Sequence, residues 1–179
     1  MVTVDVFLKD AYKYRLTEEE WVYLINNDYS GVDKVIEFSY TFDNIVVEGS
    51  AYYYESQFVI FLYESSEFSK GYGTKALISL KNTLYCVGIK LSVAWVSDDS
   101  LYFWLRTYDK GIIHNILYNG FDIKDVIGDR NYGTQYFLLV KNLYEGYNEI
   151  KDSDDKLKKW YDVLMKYNII SGYDLDYKI

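Results

Sequence analysis

The residues best placed to do chemistry form a loop that contains two glycines: Ser69-Lys70-Gly71-Tyr72-Gly73-Thr74. An apolar run over residues 58–62 precedes the loop, and apolar residues at helical spacing follow it, so we expect a strand, the loop and then a helix. Glycines let the backbone approach a ligand closely, and the amides at a helix start can hold a pyrophosphate. An ordinary turn between a strand and a helix has the same pattern. We favour the anion-binding interpretation, with residues 70–74 as its amides.

Two residue types that often carry chemistry occur only once each. His114 is the only histidine, which excludes a histidine cluster for a metal ion, and Cys86 is the only cysteine, which excludes an intramolecular disulfide. Cys86 lies among apolar residues with no evident base nearby, so we interpret it as a core residue. We therefore predict no metal site and no cysteine nucleophile.

The elements around the loop can be predicted from periodicity. Thr17 and Glu20 have capping-box spacing and predict a short helix. Alternating apolar residues between 35 and 62 predict a three-stranded antiparallel meander with turns at residues 43–44 and 48–50. After the loop we expect, in order, a helix ending near residue 88, a strand at 91–96, a buried helix at 101–108 and strands at 113–126 and 135–140. The predicted order is α, βββ, α, β, α, ββ.

The last part of the chain has a separate pattern. Residues 153–155 suit a helix start, and apolar residues at helical spacing follow from Leu157 to Met165. We expect one domain over residues 1–145 and a C-terminal helical extension over residues 146–179. The apolar face of that extension would pack on the domain or on a second subunit, so a homodimer is possible.

Residues 58–143, roughly half of the chain, resemble the acetyl-coenzyme-A-binding core of the GNAT superfamily of N-acetyltransferases. The motif SKGYGTKAL, at 69–77, is similar to the family's signature loop, with Gly71 and Gly73 in its two small positions. Residues 96–112 look like the next strand end, the cofactor-packing helix and a shortened form of the Tyr-x-Lys-x-Gly-Phe ending. In an alternative alignment residues 118–121 are that ending, but this requires a longer insertion. The resemblance implies an α/β (α+β) fold with a mixed, mostly antiparallel sheet flanked by helices.

The family likeness also implies roles for individual residues. Acetyl-CoA would be the acyl donor, with its pyrophosphate on Lys70, Gly71, Tyr72, Gly73 and Thr74. Tyr108 would be the general acid that protonates the departing thiolate, and Glu64 or Glu67 would deprotonate the acceptor amine. The acceptor would be a primary amine of a cationic small molecule or of a protein lysine.

The charge of the chain limits its partners. The 27 acidic and 19 basic residues give a net charge of −8, which repels phosphate backbones and favours cationic ligands or basic protein surfaces. We therefore expect no direct nucleic-acid binding. Together with 22 tyrosines, this charge also fits a second function: a non-catalytic inhibitor of phage type, such as an anti-CRISPR or other anti-defence protein, which occupies a partner's nucleic-acid-binding surface.

The expected location is the cytoplasm. The N-terminal residues lack the basic and apolar regions of a signal peptide, and no window approaches the roughly 20 apolar residues of a membrane-spanning helix.

Overall fold

A computed structural model of the protein describes residues 2–25, 33–67, 70–96, 98–118 and 121–128. The predicted strand at 135–140 and the predicted extension over 146–179 lie outside the described residues, as does the boundary between extension and domain.

From residue 18 onward, most helices and strands follow the order that the periodicity predicts, whereas the short elements over residues 2–14 were not predicted. The helices are α1 (Val4–Lys9), α2 (Glu18–Ile25), α3 (Tyr72–Tyr85), α4 (Asp98–Asp109) and α5 (Ile123–Gly128), with a 3-10 turn at Ala11–Tyr14. The strands are β1 (Val2–Thr3), β2 (Ile36–Phe42), β3 (Ile45–Tyr54), β4 (Gln57–Ser65), β5 (Lys90–Ala94), β6 (Asn115–Tyr118) and β7 (Phe121–Asp122).

The strands form one mixed sheet. In the described residues its spatial order follows the chain, from β1 to β7. The pairings β2–β3, β3–β4 and β6–β7 are antiparallel, and the first two are the longest; β1–β2, β4–β5 and β5–β6 are parallel. The α/β (α+β) fold class is therefore confirmed.

Two apolar clusters cover opposite faces of the sheet. The larger one joins α1, α3 and α4 to the sheet and includes Ala51 and Tyr53 of β3. The smaller one joins Leu24 of α2 to Tyr52. Successive side chains of a strand point to opposite faces, so the two clusters lie on different sides. We call these sides the α3 face and the α2 face.

The ends of the helices follow local signals in the sequence. The predicted capping box is present at α2: the Thr17 amide donates to Glu20 Oε2 over 2.7 Å, and the Glu20 amide donates to Thr17 Oγ1 over 3.2 Å. The chain leaves α3 through Gly88, whose φ of +74° lies in the left-handed region.

Three sequence predictions were wrong in detail. Residues 48–50 do not form a turn: Gly49 lies inside β3, where an added Cβ would sit 2.5 Å from Cζ of Phe38, so the glycine makes room for a ring. The strand predicted at 91–96 ends at Ala94, because Trp95 has a φ of +50°. The strand predicted at 113–126 is instead β6, β7 and the start of α5.

No helix in the described part of the chain is long and apolar enough to cross a membrane.

Candidate functional site

A cleft opens where the parallel strands β4 and β5 stop pairing. Their register runs from Gln57 opposite Lys90 to Ile60 opposite Val93, and β4 then continues to Ser65. The cleft has a volume of about 750 Å³ and lies at the carboxyl ends of both strands. In sheets with parallel strands this is the usual place for a ligand.

A β-bulge in β4 coincides with the point at which the two strands part. Ser50 pairs with Leu62 but the next residue, Ala51, pairs with Ile60, so Phe61 is an extra residue on β4. Phe61 packs in the smaller cluster on the α2 face, and Tyr63 returns to the α3 face. Bulges bend a strand and increase its twist, which accounts for β4 leaving β5 at this point.

The cleft is lined from both strands, two helix starts and the loop before α3. Its lining residues are 60–63, 65 and 67 from β4 and the turn that follows it, 71–74 from the start of α3, 93–96 from the end of β5, and 100, 103 and 104 from α4. Members of both apolar clusters, such as Phe61 and Trp104, are among them. The cleft therefore extends between the strands from one face of the sheet to the other.

The first turn of α3 has amides that the helix itself does not bond. Gly71 is its N-cap, with a φ of +80°, and makes no side-chain cap because it has no side chain. The first amide bonded within the helix is that of Lys75, which donates to the carbonyl of Gly71 over 3.1 Å. Helix bonding leaves the amides of residues 72–74 unused, and such amides carry the positive end of the helix dipole.

One ion pair lies at the rim of the cleft beside this turn. The Lys70 ammonium contacts the Glu67 carboxylate, and that hydrogen bond and charge raise the pKa of Lys70. Ser65 Oγ donates to the Glu67 carbonyl over 2.7 Å and helps to fix the turn. An acid thus stands close to the predicted anion site, with a lysine that neutralises it.

The second glutamate of the sequence prediction, Glu64, faces a different cavity. It pairs in register with Glu48 on the α2 face, and both carboxylates line a groove of about 640 Å³ that also includes Glu37 and Asp5. No lysine or arginine is among the described residues that line this groove. Leu62 lines both cavities, so the acidic groove adjoins the cleft.

Tyr108 does not belong to the described residues that line the cleft. It lies on α4, one helical turn beyond Trp104, which does line it. Its ring packs on the larger cluster, and the Lys124 ammonium lies 5.5 Å from the ring centroid. A proton-donor role for Tyr108 therefore requires the reacting sulfur to lie beyond the described lining of the cleft, toward the C-terminal end of α4.

The remaining candidate residues lie away from both cavities. Cys86 is exposed at the C-cap of α3, where its Sγ donates to the Asn82 carbonyl over 3.3 Å, so its interpretation as a core residue was wrong. Partial burial and the charges of Lys90 and Lys124 lower the pKa of His114, which favours the neutral ring. In the described ranges, no three His, Cys, Asp or Glu residues are grouped to hold a metal ion.

Four aromatic residues of the cleft were not predicted from the sequence. Tyr63, Trp95, Phe103 and Trp104 all line it. In a chain with 22 tyrosines a single one gives little signal, and Trp104 and Phe103 have the spacing of ordinary core residues. Position in the chain could have identified two of them, because Tyr63 and Trp95 directly follow the apolar runs of the two strands that border the cleft.

No family model matches the chain, and no curated protein and no solved structure gives a significant match. The GNAT resemblance therefore rests on the sequence motifs of this chain alone.

Proposed function

We propose that this protein is an acetyl-CoA-dependent N-acetyltransferase of the GNAT type, acting in the cytoplasm on a primary amine. The observation that carries the proposal is the cleft between the diverging strands β4 and β5, with the glycine-initiated helix α3 at its rim. Of the predicted anion-binding residues 70–74, residues 71–74 line this cleft, and Lys70 is not among its described lining residues.

The residues present fit the proposed acyl donor. The amides of residues 70–74 would hold the pyrophosphate, where the N-terminus of α3 favours negative charge. The largely apolar walls, formed by residues 60–63 and 93–96, would hold the pantetheine arm and exclude water from the thioester. Acetyl-CoA would supply an acetyl group activated as a thioester.

The two glutamates suit different tasks. Glu67 is paired with Lys70 at the phosphate rim, so its charge is already engaged. Glu64 lies on the α2 face beside Leu62, where a cationic acceptor can reach the cleft from the acidic groove. Glu64 would take a proton from the acceptor ammonium, directly or through water, and free its amine to attack. Tyr108 would return a proton to the leaving thiolate.

Isothermal titration calorimetry with acetyl-CoA tests the donor site, and an acetylation assay over polyamines, amino sugars and lysine peptides tests the acceptor class. We expect binding in the micromolar range and transfer to at least one cationic amine. Absence of binding at millimolar acetyl-CoA would rule out the proposed reaction.

One observation favours the second function, that of an acidic inhibitor. Glu48 and Glu64 face each other on neighbouring strands, an arrangement that costs stability unless a cation or a partner compensates. A basic protein surface that normally binds nucleic acid would provide that compensation. Such a complex would form without acetyl-CoA and would weaken as salt is raised.

A further inference from the structure

Tyr63 is held at the floor of the cleft by aromatic neighbours on two other elements. Its ring stacks on that of Phe103, with centroids 6.1 Å apart and an interplanar angle of 18°. Trp104 meets it edge-on at 5.4 Å, and Phe38 of β2 lies at 6.1 Å. These contacts fix the direction in which the hydroxyl group points.

The Tyr63 hydroxyl reaches the first turn of α3. It donates to the carbonyl of Gly73 over 2.5 Å. A Cβ added to Gly73 would sit 3.5 Å from Oη of Tyr63 and 3.7 Å from Cζ of Phe103, so the turn rests directly on these two rings. The start of α3 is thereby tied to β4 and α4.

This hydrogen bond persists over a wide pH range. Burial, and then the charge of Tyr40, raise the pKa of Tyr63. Its hydroxyl therefore keeps its proton and remains a donor at neutral and moderately alkaline pH.

We propose that Tyr63 is a positioning residue for pyrophosphate binding, because it holds the first turn of α3 with the amides of residues 72–74 facing the cleft. This inference rests on the proposed function. The Tyr63 hydroxyl keeps this turn ordered in the free protein. Ligand binding therefore does not have to order it, and the entropic cost of binding is smaller. Removing the hydroxyl should weaken binding of the pyrophosphate and leave the pantetheine arm unaffected.

The test compares Tyr63→Phe with Tyr40→Phe, titrating each with acetyl-CoA and with acetyl-pantetheine, which lacks the pyrophosphate. Tyr40 is a matched control, because it is also a partly buried tyrosine of the larger cluster, and it lies close to Thr83 near the far end of α3 rather than to its first turn. We expect Tyr63→Phe to weaken acetyl-CoA binding about five- to tenfold, the scale of one hydrogen bond, with acetyl-pantetheine binding within about twofold of wild type. Tyr40→Phe should leave both affinities unchanged.

Amide hydrogen exchange without any ligand gives an independent measurement. Tyr63→Phe should accelerate exchange at the amides of residues 75–77, the first that are bonded within α3, and leave the second half of α3 protected. Equal losses of affinity for both ligands would show that Tyr63 only lines the cleft, and would overturn the proposal. Unchanged affinity together with unchanged amide exchange would overturn it as well. A wild-type protein that binds neither ligand would instead refute the proposed function, and the inference with it.

Discussion

Glu64 and Glu67 are three residues apart in the sequence, yet they line different cavities. Glu64 lies in the acidic groove opposite Glu48, whereas Glu67 lies at the rim of the cleft and is paired with Lys70. From the sequence the two acids are alternatives for one task, whereas their placement in different cavities fits separate tasks in the proposed reaction, which single substitutions can distinguish.

Glu67→Gln should tighten acetyl-CoA binding. The change removes a negative charge near the pyrophosphate and releases Lys70 to pair with it, so we expect a gain of about two- to fivefold, limited by solvent screening. Calorimetry at low salt and at 0.5 M salt measures the gain, which should shrink at high salt. Weaker binding in Glu67→Gln would show that the carboxylate supports the loop rather than opposing the anion.

Glu64→Gln should affect turnover but not donor binding. If Glu64 accepts the proton of the acceptor, kcat should fall by about 10² to 10⁴, the usual contribution of a general base, with acetyl-CoA affinity unchanged. Glu48→Gln is the matched control, because it neutralises the opposite residue in the same groove. Equal losses in the two variants would indicate attraction of a cation rather than proton transfer.

Aspartate and asparagine at Gly71 form a matched pair that tests the anion site. The φ of +80° is a left-handed conformation that Asn and Asp tolerate better than other side chains, no atom lies within 4 Å of an added Cβ, and the two residues share the same backbone strain but differ in charge. Gly71→Asp should weaken acetyl-CoA binding by about tenfold or more, because it places a carboxylate beside the pyrophosphate, and Gly71→Asn should bind nearly as well as wild type. Similar affinities for the two variants would show that the pyrophosphate does not bind at this turn.

Tyr108→Phe tests the general acid. Loss of the hydroxyl alone should lower kcat by about 10² to 10⁴ if Tyr108 protonates the thiolate, with little change in acetyl-CoA affinity. Because Tyr108 lies one turn beyond Trp104, full activity in this variant would assign protonation of the thiolate to water in the cleft.

The capping box of α2 gives a prediction about stability and pH. Burial opposes ionisation of Glu20, but hydrogen bonds from Lys34 and from the amide and hydroxyl of Thr17 outweigh it and lower the pKa of Glu20. A lowered pKa stabilises the fold above the ordinary value of about 4.5, and the contribution is lost as the pH falls through the lower value. Thr17→Ala should cost about 1 kcal/mol at pH 7, by denaturant unfolding, and less at pH 3.

The sequence predicts those features of the fold that depend on residues close together in the chain, and it misses those that depend on contacts between distant residues. The capping box rests on contacts between residues three positions apart, and it is where the pattern placed it. The helix after the glycines begins at Tyr72, inside the predicted loop, because Gly71 already serves as its N-cap. Gly49 was taken for a turn because its role depends on the ring of Phe38, which lies on another strand. Tyr63 was overlooked because its partner Gly73 is met only after the chain has turned from β4 into α3.

Because of the bulge at Phe61, the opening of the cleft depends on the number of residues in β4. Because Leu62 and Ile60 pair with adjacent residues of β3, deleting Phe61 would leave every other side chain of β4 on its present face and restore a regular ladder. The shortened strand would then have no reason to bend away from β5 after the pair of Ile60 and Val93. A single-codon deletion would therefore close the cleft while leaving the larger cluster intact, and its cost would fall on the smaller cluster, where the Phe61 ring stacks on that of Tyr52.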